Sequence, residues 1–259
     1  MRYLPLFLCL LLAGCGQINP PIKNPLKSAS ADLPIDRIKL PDGFKIEVFA
    51  KEITNARSMA ISPAGTIFVG TRGEGKVYAL KDTDGDFFVD KKYVLAEDLQ
   101  MPNGVAFRDG DLYVAEVSRI IKFSDIENHL EEPGEPTVVY DQYPTETHHG
   151  WKFIDFGPDG KLYVPVGAPC NICESEDEIF ASITRMNPDG TDMEVVQHGI
   201  RNTVGFTWHP DDKQLWFTDN GRDMMGDDIP ACELNHASTD SQHFGYPYCH
   251  QGDLPDEEF

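Results

Sequence analysis

Four segments of the chain repeat one plan, and this repetition limits the fold more than any other feature. "SMAISPAGTIFVGTRG", "NGVAFRDGDLYVAEVS", "KFIDFGPDGKLYVPVG" and "GFTWHPDDKQLWFTDNG" each hold a β-like run, a turn with Gly or Asp, and a second β-like run. Their turns fall at Gly65, Gly110, Gly160 and Asp212, so the spacing is 45, 50 and 52 residues. Short strands repeating at that period predict the blades of an all-β propeller, with about four blades in this chain. Alternation such as Leu162 and Val164 against Tyr163 and Pro165 gives a strand two distinct faces. Helical periodicity is weak, with "SDIENHLEE" the one modest candidate. A propeller must close into a ring or expose apolar faces and strand edges. The chain stops at "QGDLPDEEF" without a returning strand, so a ring lacking its last blades is expected, against a complete four-bladed ring.

The 259 residues are 41% hydrophobic, enough for one sizeable core. A net charge of −21 repels nucleic acid and anionic lipid and leaves neutral substrates and cations as easier partners. Residues 1–15, "MRYLPLFLCLLLAGC", carry Arg2, an apolar run and small residues before a cysteine, which predicts an export signal too short to span a bilayer. Its "LAGC" ending resembles a bacterial lipobox, making Cys15 the expected lipid anchor of an exported, periplasmic or outer-membrane protein. Residues 16–35 are expected to be a tether and 36–259 the propeller. Setting aside Cys9 and Cys15, four cysteines remain, Cys170, Cys173, Cys232 and Cys249. An even set in an exported chain favours disulfides, with Cys170–Cys173 and Cys232–Cys249 as the simplest local closures, over a zinc site.

Residues just before the innermost strand of a blade lie at the mouth of a propeller's central channel. Thr147-His148-His149-Gly150 occupies that place in the third repeat. A histidine there suits a general base, and Gly150 is expected to let a ligand approach the backbone. Arg201 and Asn202 hold the same phase of the next repeat, where Arg supplies a fork of donors for a carboxylate or oxyanion, or a clamp on loop carbonyls. Asp219, Asp223, Asp227, Asp228 and Glu233 crowd into fifteen residues beside a Gly-rich loop. They suit either calcium or a solvated acidic loop. "DTDGDFFVD" fails the EF-hand pattern, because Phe87 stands where Gly is required and Tyr93 where Glu is required; Asp82 to Asp86 are expected to be a turn between strands, with a surface calcium site as the alternative. No phosphate-cradling Gly loop or G-x-S-x-G elbow occurs.

"HHGWKFIDFGPDGKLYVPVG", "GIRNTVGFTWHP", "DNGRDMMGDDIPACELN" and "FGYPYC", in this order, resemble the pyrroloquinoline quinone (PQQ) dependent sugar dehydrogenases of the soluble glucose and sorbosone dehydrogenase type. That resemblance implies a six-bladed propeller with PQQ over the channel mouth, held by calcium. It implies that His149, with His148 as its neighbour, removes the proton from a sugar's anomeric hydroxyl while hydride passes to the quinone. Arg201 and Asn202 match the pair on the cofactor, with Gln100 a looser match. Gly221 and Arg222 match positions whose main-chain carbonyls hold calcium, alongside the acids Asp227, Asp228 and Glu233. A sugar substrate and a cytochrome or quinone as electron acceptor are implied. The competing classes are a metal-dependent sugar lactonase propeller and a non-catalytic binding propeller of the cell envelope.

Overall fold

The computed structural model describes residues 33–259. The expected export segment, with Cys9 and Cys15, and the tether up to residue 32 lie outside the described residues. The end of that tether runs into a 3-10 turn at Ile35–Arg37.

The strands form four antiparallel sheets in chain order, the four-blade β-propeller arrangement. The first blade is β1 (Ala56–Ile61), β2 (Ile67–Thr71), β3 (Val77–Lys81) and β4 (Lys91–Ala96). The second is β5 (Gly104–Arg108), β6 (Asp111–Ala115), β7 (Ile120–Phe123) and β8 (Thr137–Tyr140). The third is β9 (Asp155–Phe156), β10 (Leu162–Val166), β11 (Ser182–Met186) and β12 (Glu194–His198), and the fourth is β13 (Phe206–Trp208), β14 (Leu215–Asp219) and β15 (Glu233–Ala237). After them, β16 (Gln242–His243) pairs in parallel with β12, and β17 (Cys249–His250) and β18 (Leu254–Pro255) make a short hairpin.

The repeated turns fall where the sequence places them. Gly65, Gly110 and Gly160 all have positive φ, and in the fourth repeat Lys213, at φ 60°, takes that conformation beside Asp212. The modest helical candidate shrinks to one 3-10 turn, Ile126–Asn128, entered from a left-handed Asp125 (φ 49°), and Ile126 and Leu130 still pack into the core.

Apolar layers lie between the blades. Phe68, Val105, Leu112 and Phe123 join the first two; Tyr113, Ile120, Ile154 and Leu162 join the second and third; Ile183, Val196, Phe206 and Phe217 join the third and fourth. Sandwiching also explains β10, in which all five residues are buried although Leu162 and Val164 face opposite to Tyr163 and Pro165. The end blades keep bare apolar residues, Met59 and Ile61 of β1 in blade 1 and Leu234 of β15 in blade 4, each 67% exposed.

Near the axis the blades touch through backbone. The Thr71 amide donates to the Pro102 carbonyl (3.1 Å) and the buried Asn103 Nδ2 donates to the Lys152 carbonyl (2.7 Å). A Cβ at Gly104 would stand 2.5 Å from that same Lys152 oxygen, a backbone atom already held by Asn103. Gly104→Ala is therefore expected to cost about 1–3 kcal/mol by overpacking. In a thermal melt this reads as a Tm lower by several degrees; an unchanged Tm would show that the seam is loose.

Candidate active site at the channel mouth

Thr147 to Gly150 form a tight turn, closed by the Gly150 amide on the Thr147 carbonyl (3.1 Å). Its third residue, His149, has φ 52°, a conformation usually left to glycine or asparagine. Gly150 serves packing here, correcting the expectation that it admits a ligand. It is buried, and a Cβ there would meet Val117 Cγ1 at 3.1 Å and Thr147 Cα at 3.0 Å.

The two histidines separate clearly. His148 is exposed, whereas His149 is buried at 8% exposure, with the ring centroids 4.1 Å apart. His149 Nδ1 lies 2.9 Å from the Ala168 carbonyl. A carbonyl only accepts, so Nδ1 carries the proton of the neutral ring and the lone pair sits on Nε2. Burial, then the Arg201 charge, pushes the imidazole down to about 4.

Arg201 reaches the same place from the next blade. Its carbonyl accepts the Ala168 amide (2.8 Å), so Ala168 bonds to Arg201 on one side and to His149 on the other. A Cβ on Gly167 would fall 2.5 Å from His149 Cβ, so this close approach requires glycine. Below the turn, the carboxylate of buried Asp219 accepts the amides of Arg201 (3.0 Å) and Asn202 (2.7 Å). Burial pushes Asp219 up to about 7.

The Arg201 guanidinium makes four hydrogen bonds: Nε to the Asn171 carbonyl (2.8 Å), Nη1 to the Asn220 carbonyl (3.1 Å), and Nη2 to Asn171 Oδ1 (2.8 Å) and Asp223 Oδ2 (3.4 Å). Arginine carries five N–H donors, so one remains for a ligand. Of the two roles expected for Arg201, the clamp on loop carbonyls is the one these bonds make.

Around this pair, the Arg72 guanidinium stacks 3.6 Å from the Trp151 ring, and Trp151 meets the His149 ring edge-on at 6.2 Å. A cavity of about 470 Å³ opens along the innermost strands, lined by Arg57, Met59, Asn103, Trp151, Phe153 and Val204. Trp151 Nε1, Thr203 Oγ1 and Arg222 Nε are buried without a hydrogen-bond partner among the described residues. Trp151 and Thr203 each stand two residues after His149 and Arg201, so their orphaned donors are ones a polar ligand there would satisfy, whereas that of Arg222 lies toward Asp256 and Glu258. Lys152 is buried as well. Its amino group donates to the Gly150 carbonyl (3.0 Å), and burial lowers it to about 7.

Other expected residues stand differently. Gln100 is exposed and engages blade 2 through its backbone, donating to Glu116 Oε1 and accepting from Val117. Gly221 and Arg222 lie in the loop after β14, and the Arg222 side chain turns away to Asp256 and Glu258. Asp227, Asp228 and Glu233 are not gathered into a metal-sized group. The first two are exposed, while Glu233 opens β15 opposite Asp219 of β14 and accepts from Asn235 Nδ2. Among the described residues the group of three carboxylates within 4.8 Å is instead Asp82, Asp84 and Asp86, in the expected turn between β3 and β4, where Asp82 accepts the Gly85 and Phe87 amides. Cys170 and Cys173 form a disulfide. Cys232 and Cys249 remain unbonded, contrary to expectation: Cys232 is exposed, on the loop before β15, and Cys249, in β17, directs its sulfur at the His250 carbonyl.

Sequence reasoning missed Asn171, Trp151 and Arg72. Only the first had a signal, being the residue enclosed by C-x-x-C.

Fold and site together define a β-propeller with a buried histidine and a clamped arginine at its channel mouth. The chain belongs to the family described as "Domain of unknown function (DUF7133)", whose model matches residues 30–244. A curated uncharacterized protein of Borreliella burgdorferi is 29% identical over 225 residues, covering 82% of this chain; the chain spans 56% of that relative's length. Among solved structures, the PQQ-bound aldose sugar dehydrogenase of Streptomyces coelicolor is similar at TM-score 0.62 and 23% identity, covering 81% of this chain and 69% of that one. The calcium structure of a Trichoderma reesei protein of carbohydrate-active enzyme family AA12 gives 0.69 and 21%, covering 81% and 60%. The apo soluble aldose sugar dehydrogenase of Escherichia coli gives 0.58 and 15%, covering 76% and 64%. At these identities the likeness is one of fold.

In a histidine-resolved NMR titration, one imidazole should stay neutral, as the Nδ1–H tautomer, until the pH nears 4. A lowered value favours the neutral form, so protonation comes below the ordinary range near 6.5, and His149→Asn should remove that signal. Titration of that signal near 6.5 would contradict the burial described here.

Proposed function

We propose that this chain carries the base and the cofactor clamp of a PQQ-dependent sugar dehydrogenase. The observation that carries the reading is the His149 ring: neutral, fixed through Nδ1 to Ala168, with its Nε2 lone pair left for a substrate proton and the Arg201 cation beside it. The polar donors without partners at Trp151 and Thr203, and the remaining N–H of Arg201, fit an oxygen-rich anionic cofactor. The names borne by the Streptomyces and Escherichia neighbours support an aldose as substrate class.

When bound, PQQ supplies the two-electron acceptor for hydride, made more electrophilic by a calcium on the carbonyls of Gly221 and Arg222. In this proposal His149 Nε2 takes the proton of the anomeric hydroxyl as hydride leaves the carbon bearing it. Without that base the carbon would have to become a protonated carbonyl, a far costlier product. Arg201 and Asn202 hold the anionic side of the cofactor and offset charge on its oxygens. Further blades covering Met59 and Ile61 would complete the ring, and an exported leader anchored at Cys15 would place the enzyme beside a cytochrome or quinone acceptor.

Titration of the purified protein with PQQ in calcium buffer tests this reading. Saturable binding, lost with a chelator, and bleaching on addition of an aldose are expected. His149→Ala should keep binding while the bleaching rate falls by about 10²–10⁴-fold. Because His149 is lowered to about 4, the rate should hold through the weakly acidic range and fall only as pH approaches that value. A His149→Ala protein that turns over at the original rate would remove histidine from the mechanism.

A further inference from the structure

The tetrapeptide Cys170-Asn171-Ile172-Cys173, closed by its disulfide, belongs to no step above, yet it holds the site together. Asn171 Oδ1 accepts from Arg201 Nη2 (2.8 Å) and from the Asp223 amide (2.8 Å). Its Nδ2 donates to the Asp223 carbonyl (3.1 Å), and its own carbonyl accepts Arg201 Nε (2.8 Å). The Asn171 amide thus pairs with the Asp223 backbone as a neighbouring strand would, while gripping Arg201 from two sides. Arg201 in turn bonds the Asn220 carbonyl (3.1 Å). Gly221 and Arg222 are therefore bracketed, Asn220 being fixed by Arg201 and Asp223 by Asn171.

A side chain can hold two segments only if its own backbone is fixed, because otherwise the entropy of ordering the loop opposes each bond. The disulfide closes the loop around Asn171, and Tyr246 Oη accepts the Cys173 amide (3.0 Å) at its base. We propose that Asn171 is the positioning residue of this pocket, and that the Cys170–Cys173 bond holds it in place so that reduction loosens the pocket. The inference rests on the dehydrogenase reading for what the pocket binds, not for how Arg201 is held. In the reduction, a dithiol gives two electrons and two protons; the Cys170–Cys173 S–S bond breaks, two thiols form, and the dithiol leaves as its own disulfide.

The test follows modification of Arg201 by phenylglyoxal, an arginine-selective dicarbonyl, with peptide mass spectrometry, on variants shown by thermal melting to be folded. Asn171→Ala and the Cys170→Ser/Cys173→Ser pair should raise the Arg201 modification rate at least about tenfold, the scale expected for losing charge-assisted hydrogen bonds. Asn171→Asp, which keeps an acceptor for Nη2, should fall between wild type and Asn171→Ala. Dithiothreitol should raise the wild-type rate to that of the double serine variant and change Asn171→Ala little. A disulfide that merely stabilised the fold would act equally in both backgrounds, so an equal response overturns the proposal. Unchanged protection in Asn171→Ala, or equal rates in the Asp and Ala variants, overturns it too. PQQ affinity is measured on the same set. Wild type that binds PQQ should lose affinity in the same order, and undiminished affinity in Asn171→Ala defeats the proposal. Wild type that does not bind PQQ defeats the dehydrogenase reading instead, and Arg201 protection alone then decides this one.

Discussion

Two backbone groups of Ala168 make the site a single unit: its amide donates to the Arg201 carbonyl at 2.8 Å, and its carbonyl accepts a hydrogen bond from His149 Nδ1 at 2.9 Å. The histidine comes from the loop before β9 and the arginine from the loop before β13, so this residue of the intervening loop spans two blades. Asp219 supports the arrangement from below by accepting two consecutive amides that would otherwise be buried without partners. Neither contact uses a side-chain N–H of Arg201, and the guanidinium is left to bind the loops.

Electrostatics then follows from burial. The chain carries a net charge of −21, yet its channel mouth collects Arg201, Arg72 and a buried Lys152. Desolvation acts on these groups according to chemistry. An arginine stays charged under almost any burial, so Arg201 and Arg72 keep a fixed positive field. The same desolvation lowers His149 to about 4 and Lys152 to about 7. A neutral imidazole beside a permanent cation is the outcome.

The repeat was legible in the sequence because each blade needs two β-runs and a turn with a positive-φ residue, and that demand recurs at Gly65, Gly110 and Gly160. His149, Arg201 and Asn202 were legible for a related reason, since equal phase in equal repeats puts residues on one rim. The acids were not. Asp219, Asp223, Asp227, Asp228 and Glu233 are close along the chain, but β14 buries Asp219 under the arginine turn, the loop exposes Asp227 and Asp228, and β15 turns Glu233 toward Asn235. Nearness along the chain says nothing about the direction of a side chain. The second cysteine pair was misread by the same assumption.

By itself, then, the sequence determined the blade plan, the order of the strands and the rim on which the polar loops lie, because turn chemistry and strand alternation are local. Only the tertiary structure decided which histidine is buried, that Arg201 is gripped by Asn171, and that Asp219 faces backbone amides. Those outcomes depend on contacts between residues 17 to 30 positions apart in sequence. No local rule encodes them; they exist once neighbouring blades have packed and every buried donor has sought its acceptor.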